Sequence, residues 1–241
     1  MRANRVVLLA LVFLVAGIGG AVLLMQPAGD EREPEPAPKG AGYAQIPLPA
    51  PEYGSATSVE EALLGRRSVR DYEDEPLTIA EVSQLLWAAQ GITDPSRGLR
   101  TAPSAGALYP LEVYVVVGNV DGVQQGVYRY VPLEHALVMT RSGDAREELA
   151  AAALGQTWVG EGSISIVLSA VYERTTKTYG DRGIRYVHME VGHSAQNVCL
   201  QAVSLGLGAV VVGAFEDDEV REVLNGAAEE HPLYVVPIGK I

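Results

Sequence analysis

The stretch "IRYVHMEVGHSAQNVCLQAVSLGLGAVVVGAF", Ile184 to Phe215, decides the fold class because it joins the longest predicted helix to a strand. Apolar residues recur at helical spacing over 184–206, and Gly206 is interpreted as the helix C-cap. The following "AVVVG" (209–213) predicts a strand. Its "GLG" is not a dinucleotide fingerprint, because these glycines follow a helix and precede a strand. Gly213, at the strand end, is where open α/β sheets tend to place ligands.

The elements on either side of this stretch alternate between helices and strands. Two capping-box patterns, Ser58 with Glu61 and Thr78 with Glu81, start helices that end near Gly65 and Gly91. Further helices are predicted over 144–154 and 217–224, and strands over 112–118, 126–131, 163–172 and 233–239. This order predicts a mixed β-sheet flanked by helices, an α+β fold.

Composition excludes several classes of function. The chain has 241 residues, 48% of them hydrophobic, enough for one full domain and an appendage, and its net charge of −12 argues against nucleic acid. The single cysteine, Cys199, rules out a disulfide framework, and we interpret it as a buried structural thiol. His188 and His193 are five residues apart, which does not place them on one helix face, so no metal site is predicted.

The N-terminal region differs from the rest of the chain. Residues 1–25 hold an uncharged apolar run, Val6 to Leu24, that predicts a membrane anchor, with a cleaved signal peptide as the alternative. Residues 26–54 are Pro-rich and predict an extended linker before a globular domain over 55–241. Arg2 and Arg5 before the run favour an extracytoplasmic domain on a single-pass anchor, and the reversed topology is the alternative.

Two segments of the globular part could bind a ligand. The segment "GRRSVRDY" (65–72) groups three arginines, and arginine binds phosphate through bidentate hydrogen bonds. The alternative is a solvated turn that forms ion pairs with the acidic residues after it. The loop "TAPSAGALYP" (101–110) has small residues that let a flat ligand approach the backbone, and the alternative is an ordinary loop entering a strand.

Taken together and in order, five motifs resemble the flavin-dependent nitroreductase superfamily, in particular its SagB-type dehydrogenase branch. They are "RRSVRDY", "PSAGALYPLEVYVV", "GVYRYVPLEHAL", the segment from Tyr179 to Phe215, and "PLYVVPIGK", and they span about Val59 to Lys240. The resemblance implies a fold that binds FMN at the interface of an intertwined homodimer.

The resemblance also implies roles for particular residues. Arg66, Arg67 and Ser68 match positions at the FMN phosphate and ribityl chain, and Lys240 matches the closing phosphate contact. Arg70 matches the basic residue at the pyrimidine edge of the flavin ring, where a cation stabilises the reduced flavin. The loop under the ring is matched by Ser104, Ala105 and Gly106. The segment whose backbone amide meets flavin N5 is matched by Val212 and Gly213.

The candidate catalytic residues depart from the family pattern. Azoline-oxidising members have a Lys-Tyr pair, which serves as acid and base, directly before a Gly-x-Arg-Gly stretch. Here Tyr179 is in place, but Thr178 holds the lysine position and Lys177 lies one residue earlier. The main functional hypothesis is an FMN-dependent oxidoreductase that takes hydride from a donor such as NAD(P)H and passes it to a small organic acceptor. The alternative is a non-catalytic flavin- or nucleotide-binding module tethered at the membrane.

Overall fold

The computed structural model describes residues 45–241, and strands from that part of the chain form a seven-stranded antiparallel sheet. The strands are β1 (Gln45–Pro47), β2 (Ile92–Asp94), β3 (Leu99–Arg100), β4 (Leu111–Val117), β5 (Gly126–Val131), β6 (Ala136–Ser142), β7 (Ile164–Ala170), β8 (Leu207–Ala209) and β9 (His231–Lys240). The sheet order is β1-β6-β5-β4-β7-β9-β8, and β2 and β3 form a separate hairpin.

Seven α-helices accompany these strands within the described residues. They are α1 (Val59–Gly65), α2 (Ile79–Gln90), α3 (Arg146–Ala152), α4 (Thr157–Glu161), α5 (Glu173–Tyr179), α6 (Arg182–Ser204) and α7 (Asp217–Leu224). Both predicted capping boxes form: Ser58 and Thr78 accept the N3 amides of their helices, while Glu61 and Glu81 accept the N-cap amides. A 3₁₀ turn, Ala105–Ala107, precedes β4.

The structure corrects the prediction of a mixed sheet. Every pairing between two strands of the described chain is antiparallel, and parallel contacts occur only as the isolated bridges Ser68–Ala209 and Leu77–Val120. The continuous apolar run of β7 indicated burial on both faces, which is common in parallel sheets, yet an antiparallel strand covered on both faces gives the same run. The order of helices and strands along the sequence therefore does not determine whether neighbouring strands are parallel or antiparallel.

Helices cover both faces of the sheet, so two hydrophobic clusters form. Along β4, Val113 and Val115 belong to the cluster under α2 and α6, whereas Tyr114 and Val116 belong to the cluster under α3 and α7. This is the two-residue alternation expected of a strand. The helix predicted over 184–206 is α6, and it crosses one face of the sheet over 23 residues.

The globular fold includes part of the predicted linker. Strand β1 pairs with β6, Leu48 is buried, and the backbone of Glu52 exchanges hydrogen bonds with the Gln84 side chain. The fold therefore extends back to Gln45, ten residues before the predicted boundary at Ser55. The predicted membrane span, Val6 to Leu24, lies outside the described residues. Between residues 45 and 241, the helices are too short or too polar to cross a bilayer.

Candidate functional site

The arginine segment lies along the β8 edge of the sheet. Ser68 forms a parallel bridge with Ala209, and the Val69 amide donates to the Ala209 carbonyl at 3.0 Å. The segment then turns back, because the Glu73 amide donates to the Lys240 carbonyl at 2.9 Å. Residues far apart in sequence, Ser68 and Lys240, are thus brought to one edge, as the resemblance requires.

Two paired glycines let this segment pack closely on the sheet. Gly208 of β8 is the direct partner of Gly239 of β9. A Cβ at Gly208 would lie 2.7 Å from Val69 Cγ1, and a Cβ at Gly239 would lie 2.9 Å from Tyr72 Cβ. The Tyr72 hydroxyl donates to the carbonyls of Val69 and Pro237, and its burial raises its pKa. The arginine segment is therefore fixed by packing as well as by backbone hydrogen bonds.

The three arginines have different surroundings. Arg66 is the C-cap residue of α1 and is half-buried beside Cys199 of α6. Arg67 donates from Nη1 to the Leu64 and Arg66 carbonyls at 2.9 and 2.8 Å, so it satisfies acceptors at the end of α1. The guanidinium of Arg70 lies 5.5 Å from the centroid of the Trp158 ring. Arg67 therefore has a structural task in addition to any ligand contact.

Lys240 already has an anionic partner. Its Nζ lies 2.5 Å from Oε1 of Glu81, and both side chains are largely buried, with exposed fractions of 26% and 16%. Burial acts to raise the pKa of Glu81, but the hydrogen bonds from Lys240 and Thr78 outweigh it and hold that pKa below 4.5. The lysine is thus held near the arginine segment with its charge partly neutralised.

These residues fit the phosphate end of a flavin mononucleotide. The segment exposes Arg67, Ser68 and Arg70. Proteins bind phosphate through guanidinium groups, often together with a hydroxyl and an ammonium group, and this segment and Lys240 supply all three. The fit rests on cations that remain accessible although Arg67, Arg70 and Lys240 also contact other groups of the protein.

The segment predicted to meet flavin N5 is present, and its two residues differ. The Val212 amide donates to the Val235 carbonyl at 2.8 Å, so it is committed to the sheet edge. Gly213 is exposed, and a Cβ there would approach the Tyr234 ring at 3.4 Å. Of the two predicted residues, Gly213 is therefore the one that is open to a ligand.

The loop predicted to lie under the ring has a strained backbone. Gly106, Ala107 and Tyr109 have φ of +63°, +54° and +46°. For the two residues that carry a Cβ, this conformation costs on the order of 1–3 kcal/mol each. The Ser104 hydroxyl accepts the Tyr109 amide at 2.9 Å, and the Tyr109 hydroxyl accepts the Arg100 amide at 3.1 Å. Surrounding groups therefore hold the loop in a form it would not adopt alone.

Tyr179 belongs to this loop region, whereas Lys177 does not lie beside it. A Cβ at Gly106 would be only 2.8 Å from the Tyr179 hydroxyl, so that hydroxyl lies directly against the loop. Lys177 is exposed and lies two positions earlier on α5, where side chains project from different helix faces. The structure thus brings Tyr179 to the candidate site and leaves the predicted Lys177 apart from it.

Sequence reasoning did not predict that Glu190 is a buried carboxyl under the loop. It is 3% exposed, and its Oε1 has no hydrogen-bond partner within residues 45–241. Burial raises its pKa to about 7, against the opposing effects of Ser104, Arg100 and Gln90. The available signal was its place on the apolar stripe of α6, between Val187 and Ser194.

The two halves of the candidate site lie at different levels of α6. Arg66 lies near enough to Cys199 for its charge to act to lower the pKa of that thiol, and Ser104 acts in the same direction on the pKa of Glu190, nine positions away along the same helix. At 1.5 Å per residue this separation is about 14 Å along the helix axis. One half holds the cations and the other holds the strained loop with Tyr179.

Comparison with known proteins gives this arrangement a family. The Nitroreductase family model matches residues 63–240. A Methanocaldococcus jannaschii protein named as a nitroreductase is 54% identical over 76% of this chain and 90% of its own length. The microcin B17-processing protein of Escherichia coli, a relative of the SagB-type dehydrogenases, is 31% identical over 62% of this chain but only 57% of its own length.

A solved structure supports the same assignment. A Ralstonia eutropha protein, also named as a nitroreductase, has a TM-score of 0.73 and 31% identity, covering 83% of this chain and 91% of that one. The chain belongs to the nitroreductase family and is a flavin-dependent oxidoreductase.

Proposed function

We propose that the protein binds FMN and transfers hydride between a nicotinamide donor and a small organic acceptor. The observation that carries this proposal is the meeting of Ser68, Lys240 and the arginines at one sheet edge through the β8 bridge. A surface turn with only solubilising charges needs no such anchoring, and it needs no glycine pair beneath it.

In the proposed complex each residue has a distinct task. Arg66 and Ser68 bind the phosphate, and Lys240 shares its charge between the phosphate and Glu81. Arg70 lies at the pyrimidine edge, where its charge favours the reduced ring, and the Gly213 amide faces N5. Bound flavin supplies the hydride chemistry, while the protein supplies binding, orientation and electrostatics.

Tyr179 is the proposed proton donor or acceptor for the substrate. Its hydroxyl lies against Gly106, which is exposed and has no side chain to keep a substrate from reaching it. Because Thr178 replaces the lysine of the azoline-oxidising relatives, the proposed substrate is a small organic molecule that accepts hydride rather than a peptide azoline, which would donate it.

The two halves of the site favour a homodimer in this proposal. Large apolar side chains are exposed on two helices, Leu63 and Leu64 on α1 and Ile184 and Met189 on α6. Covering them with a second copy would remove this apolar surface from water and would bring the loop of one protomer near the cations of the other. Sedimentation equilibrium should give twice the chain mass, and a monomer that binds FMN at full affinity would contradict the dimer.

The decisive experiment separates the enzyme from a non-catalytic flavin-binding module. Purified protein should carry a yellow chromophore that is released as FMN, and anaerobic NADH or NADPH should bleach it with recovery on addition of a nitroaromatic acceptor. A colourless protein that cannot be reconstituted with FMN would remove the proposal. A second outcome is bound FMN that is not cycled between its reduced and oxidised forms, either by NAD(P)H or by dithionite, when an acceptor is added. That result would favour the binding module.

We also propose a single-pass N-terminal anchor with the domain outside the cytoplasm. The support is the apolar run from Val6 to Leu24 with Arg2 and Arg5 before it. A cysteine at the exposed Ser55 tests this in intact cells with a membrane-impermeant maleimide, with Cys199, which is buried, as the internal control. Labelling without lysis is expected, and labelling only after lysis would reverse the topology.

A further inference from the structure

Glu112 is a buried carboxylate that bonds two arginines from different elements. It lies on β4 and is 2% exposed, and its Oε2 is 3.3 Å from Nη1 of Arg129 on the neighbouring strand β5. Its Oε1 accepts a hydrogen bond from Nη2 of Arg174, in the first turn of α5. The carboxylate therefore joins the start of α5 to a strand in the middle of the sheet.

The same arginine also bonds the strained loop. Nη1 of Arg174 donates to the carbonyl of Tyr109, the residue with φ of +46°, at 3.3 Å. One position later, the Pro110 carbonyl accepts the amide of Val171, which leads into α5, at 2.9 Å. The end of the loop 104–109 is thus attached to the start of α5 at two consecutive carbonyls, one through the backbone and one through the Arg174 guanidinium.

Helix α5 depends on contacts of this kind. It has seven residues, whereas isolated helices shorter than about 12–15 residues are marginal in water, and no side chain caps its N-terminus. It also packs closely on α6, because a Cβ at Gly183 would lie 2.9 Å from Cα of Thr176. Tyr179 is the last residue of this helix. The place of the Tyr179 side chain therefore follows from the contacts that hold α5, and Arg174 supplies one of them.

The guanidinium group makes the double attachment possible. Its planar fork presents several N–H donors in fixed directions, which the single ammonium of a lysine does not. A buried carboxylate is costly to desolvate and is by itself weak evidence for stability. Here Glu112 holds the fork of Arg174 in one orientation, with one nitrogen on the carboxylate and the other on the Tyr109 carbonyl. Its bonds thus serve orientation.

We infer that Glu112 and Arg174 are positioning residues that dock α5 onto the loop 104–109, so that the Tyr179 hydroxyl lies against Gly106. The inference rests on the proposed function for proton transfer at Tyr179, but the docking is a property of the protein before any flavin is added. Both residues act through the backbone of α5 and the carbonyl of Tyr109.

The first test measures backbone amide exchange in the full chain before FMN is added. Arg174→Met keeps the length of the side chain and removes the fork, and Glu112 keeps Arg129 as its counter-charge, so the variant should fold. Exchange in the loop 104–109 and in α5 should become at least about tenfold faster, the effect of losing a hydrogen bond from a charged group. Arg174→Lys keeps the charge without the fork and should restore only part of the protection.

Two controls separate docking from general stability. Amides of the central strand β7 report global unfolding, so their exchange should change much less than that of the loop. Arg141→Met removes another arginine that joins two elements, because Nη2 of Arg141 on β6 lies 2.6 Å from Oε1 of Glu148 on α3. This variant should leave exchange of the loop and of α5 unchanged.

A double-mutant cycle tests whether Glu112 acts through the arginine. Glu112→Gln alone should speed exchange of the loop and of α5. In the Arg174→Met background it should add little beyond its effect on β7, because the bond it weakens is already absent.

The second test asks whether the docking acts on Tyr179. In the FMN-loaded protein, Arg174→Met should lower kcat about ten- to a hundredfold, the effect of misplacing a reacting group, with the KM for the nicotinamide close to that of the wild type. In the Tyr179→Phe background the same change should lower kcat little further, because the hydroxyl that it positions is gone. A purely structural role would lower kcat by the same factor in both backgrounds.

The outcomes separate this inference from the proposed function. If Arg174→Met leaves exchange of the loop and of α5 at the wild-type rate, or speeds exchange of β7 by the same factor, the inference is wrong. An equal loss of kcat with and without the Tyr179 hydroxyl would also overturn it. Failure of wild-type protein to bind FMN would remove the proposed function and leave the exchange result standing.

Discussion

Gly208 and Gly239 face each other across β8 and β9, and a side chain on either one would collide with the arginine segment. Val69 lies over the first glycine and Tyr72 over the second, at distances too short for any real Cβ. The position of the cations is therefore coupled to the packing of the sheet edge.

The first prediction concerns this glycine pair. Gly239→Ala should lower the free energy of unfolding by about 1–3 kcal/mol, the usual cost of overpacking, and should also weaken FMN binding by displacing Tyr72. Gly192→Ala on α6 is the control, because a Cβ there meets no atom within 4 Å. Urea denaturation and FMN titration measure both effects. Wild-type stability in Gly239→Ala would contradict the packing described here.

The second prediction separates two neighbouring arginines. Arg66→Ala should weaken FMN binding about ten- to a hundredfold, the loss of one charge-assisted contact. Arg67→Ala should also cost about 0.5–1.5 kcal/mol of stability, since its hydrogen bonds to two carbonyls at the end of α1 are lost. Paired FMN titrations and urea melts give the answer, and equal behaviour of the two variants would show that the segment is undifferentiated surface charge.

The third prediction uses the ion pair between Lys240 and Glu81. Glu81→Gln should tighten FMN binding a few-fold, because it frees the ammonium while glutamine can still complete the capping box of α2. Lys240→Ala should weaken binding. Isothermal titration with FMN checks both signs. Weaker binding in Glu81→Gln would mean that the carboxylate positions the lysine rather than competing with the phosphate.

The fourth prediction assigns proton transfer to Tyr179. Tyr179→Phe should lower kcat by about a hundredfold or more while FMN stays bound, the usual contribution of a general acid or base. Lys177→Ala should have little effect, because that exposed side chain projects from a different face of α5. Steady-state kinetics with a nitroaromatic acceptor measure both. A large loss in Lys177→Ala alone would restore the lysine as the catalytic group.

The sequence predicted the elements of the fold better than their arrangement. The capping boxes and the limits of α7 and β5 follow from local chemistry and are confirmed. Gly206 has a positive φ, but the C-cap of α6 is Leu205, one residue earlier. The sequence predicts a strand over 209–213, but the structure has β8 over 207–209. The reason is that β9 pairs with residues 207–209, whereas Val212 forms only a single bridge to Val235. Pairing of that kind depends on distant residues.

The candidate site was predictable where it depended on residue type and not where it depended on burial. Arginines and a serine in one short segment indicate an anion site by their chemistry alone. Glu190 was missed because one carboxylate on an amphipathic helix is usually solvated, and only the packing of the loop onto α6 buries it. The strain at Ala107 and Tyr109 likewise has no local signature, since neither residue is one that favours positive φ.

The fifth prediction is a pH dependence of stability. Because burial raises the pKa of Glu190 from 4.5 to about 7, the folded protein favours its protonated form. The contribution of protonated Glu190 to the free energy of unfolding is fully present below pH 4.5 and is lost as the pH rises through about 7. The loss is on the order of 3 kcal/mol. Glu190→Gln lacks this titration, so the difference in unfolding free energy between the two proteins should change across that window. A constant difference from pH 4 to pH 8 would show that folding does not raise the pKa of Glu190.

The order of strands has a practical consequence for handling the protein. Strand β1 forms one edge of the sheet, and β8, which carries the arginine segment, forms the other. Six strand spacings separate these edges, about 29 Å at the usual 4.8 Å. Polypeptide joined before Gln45 enters at the edge remote from the cations. Affinity tags, fluorescent fusions and sensor-chip attachment at that end should therefore leave flavin exchange kinetics unaltered.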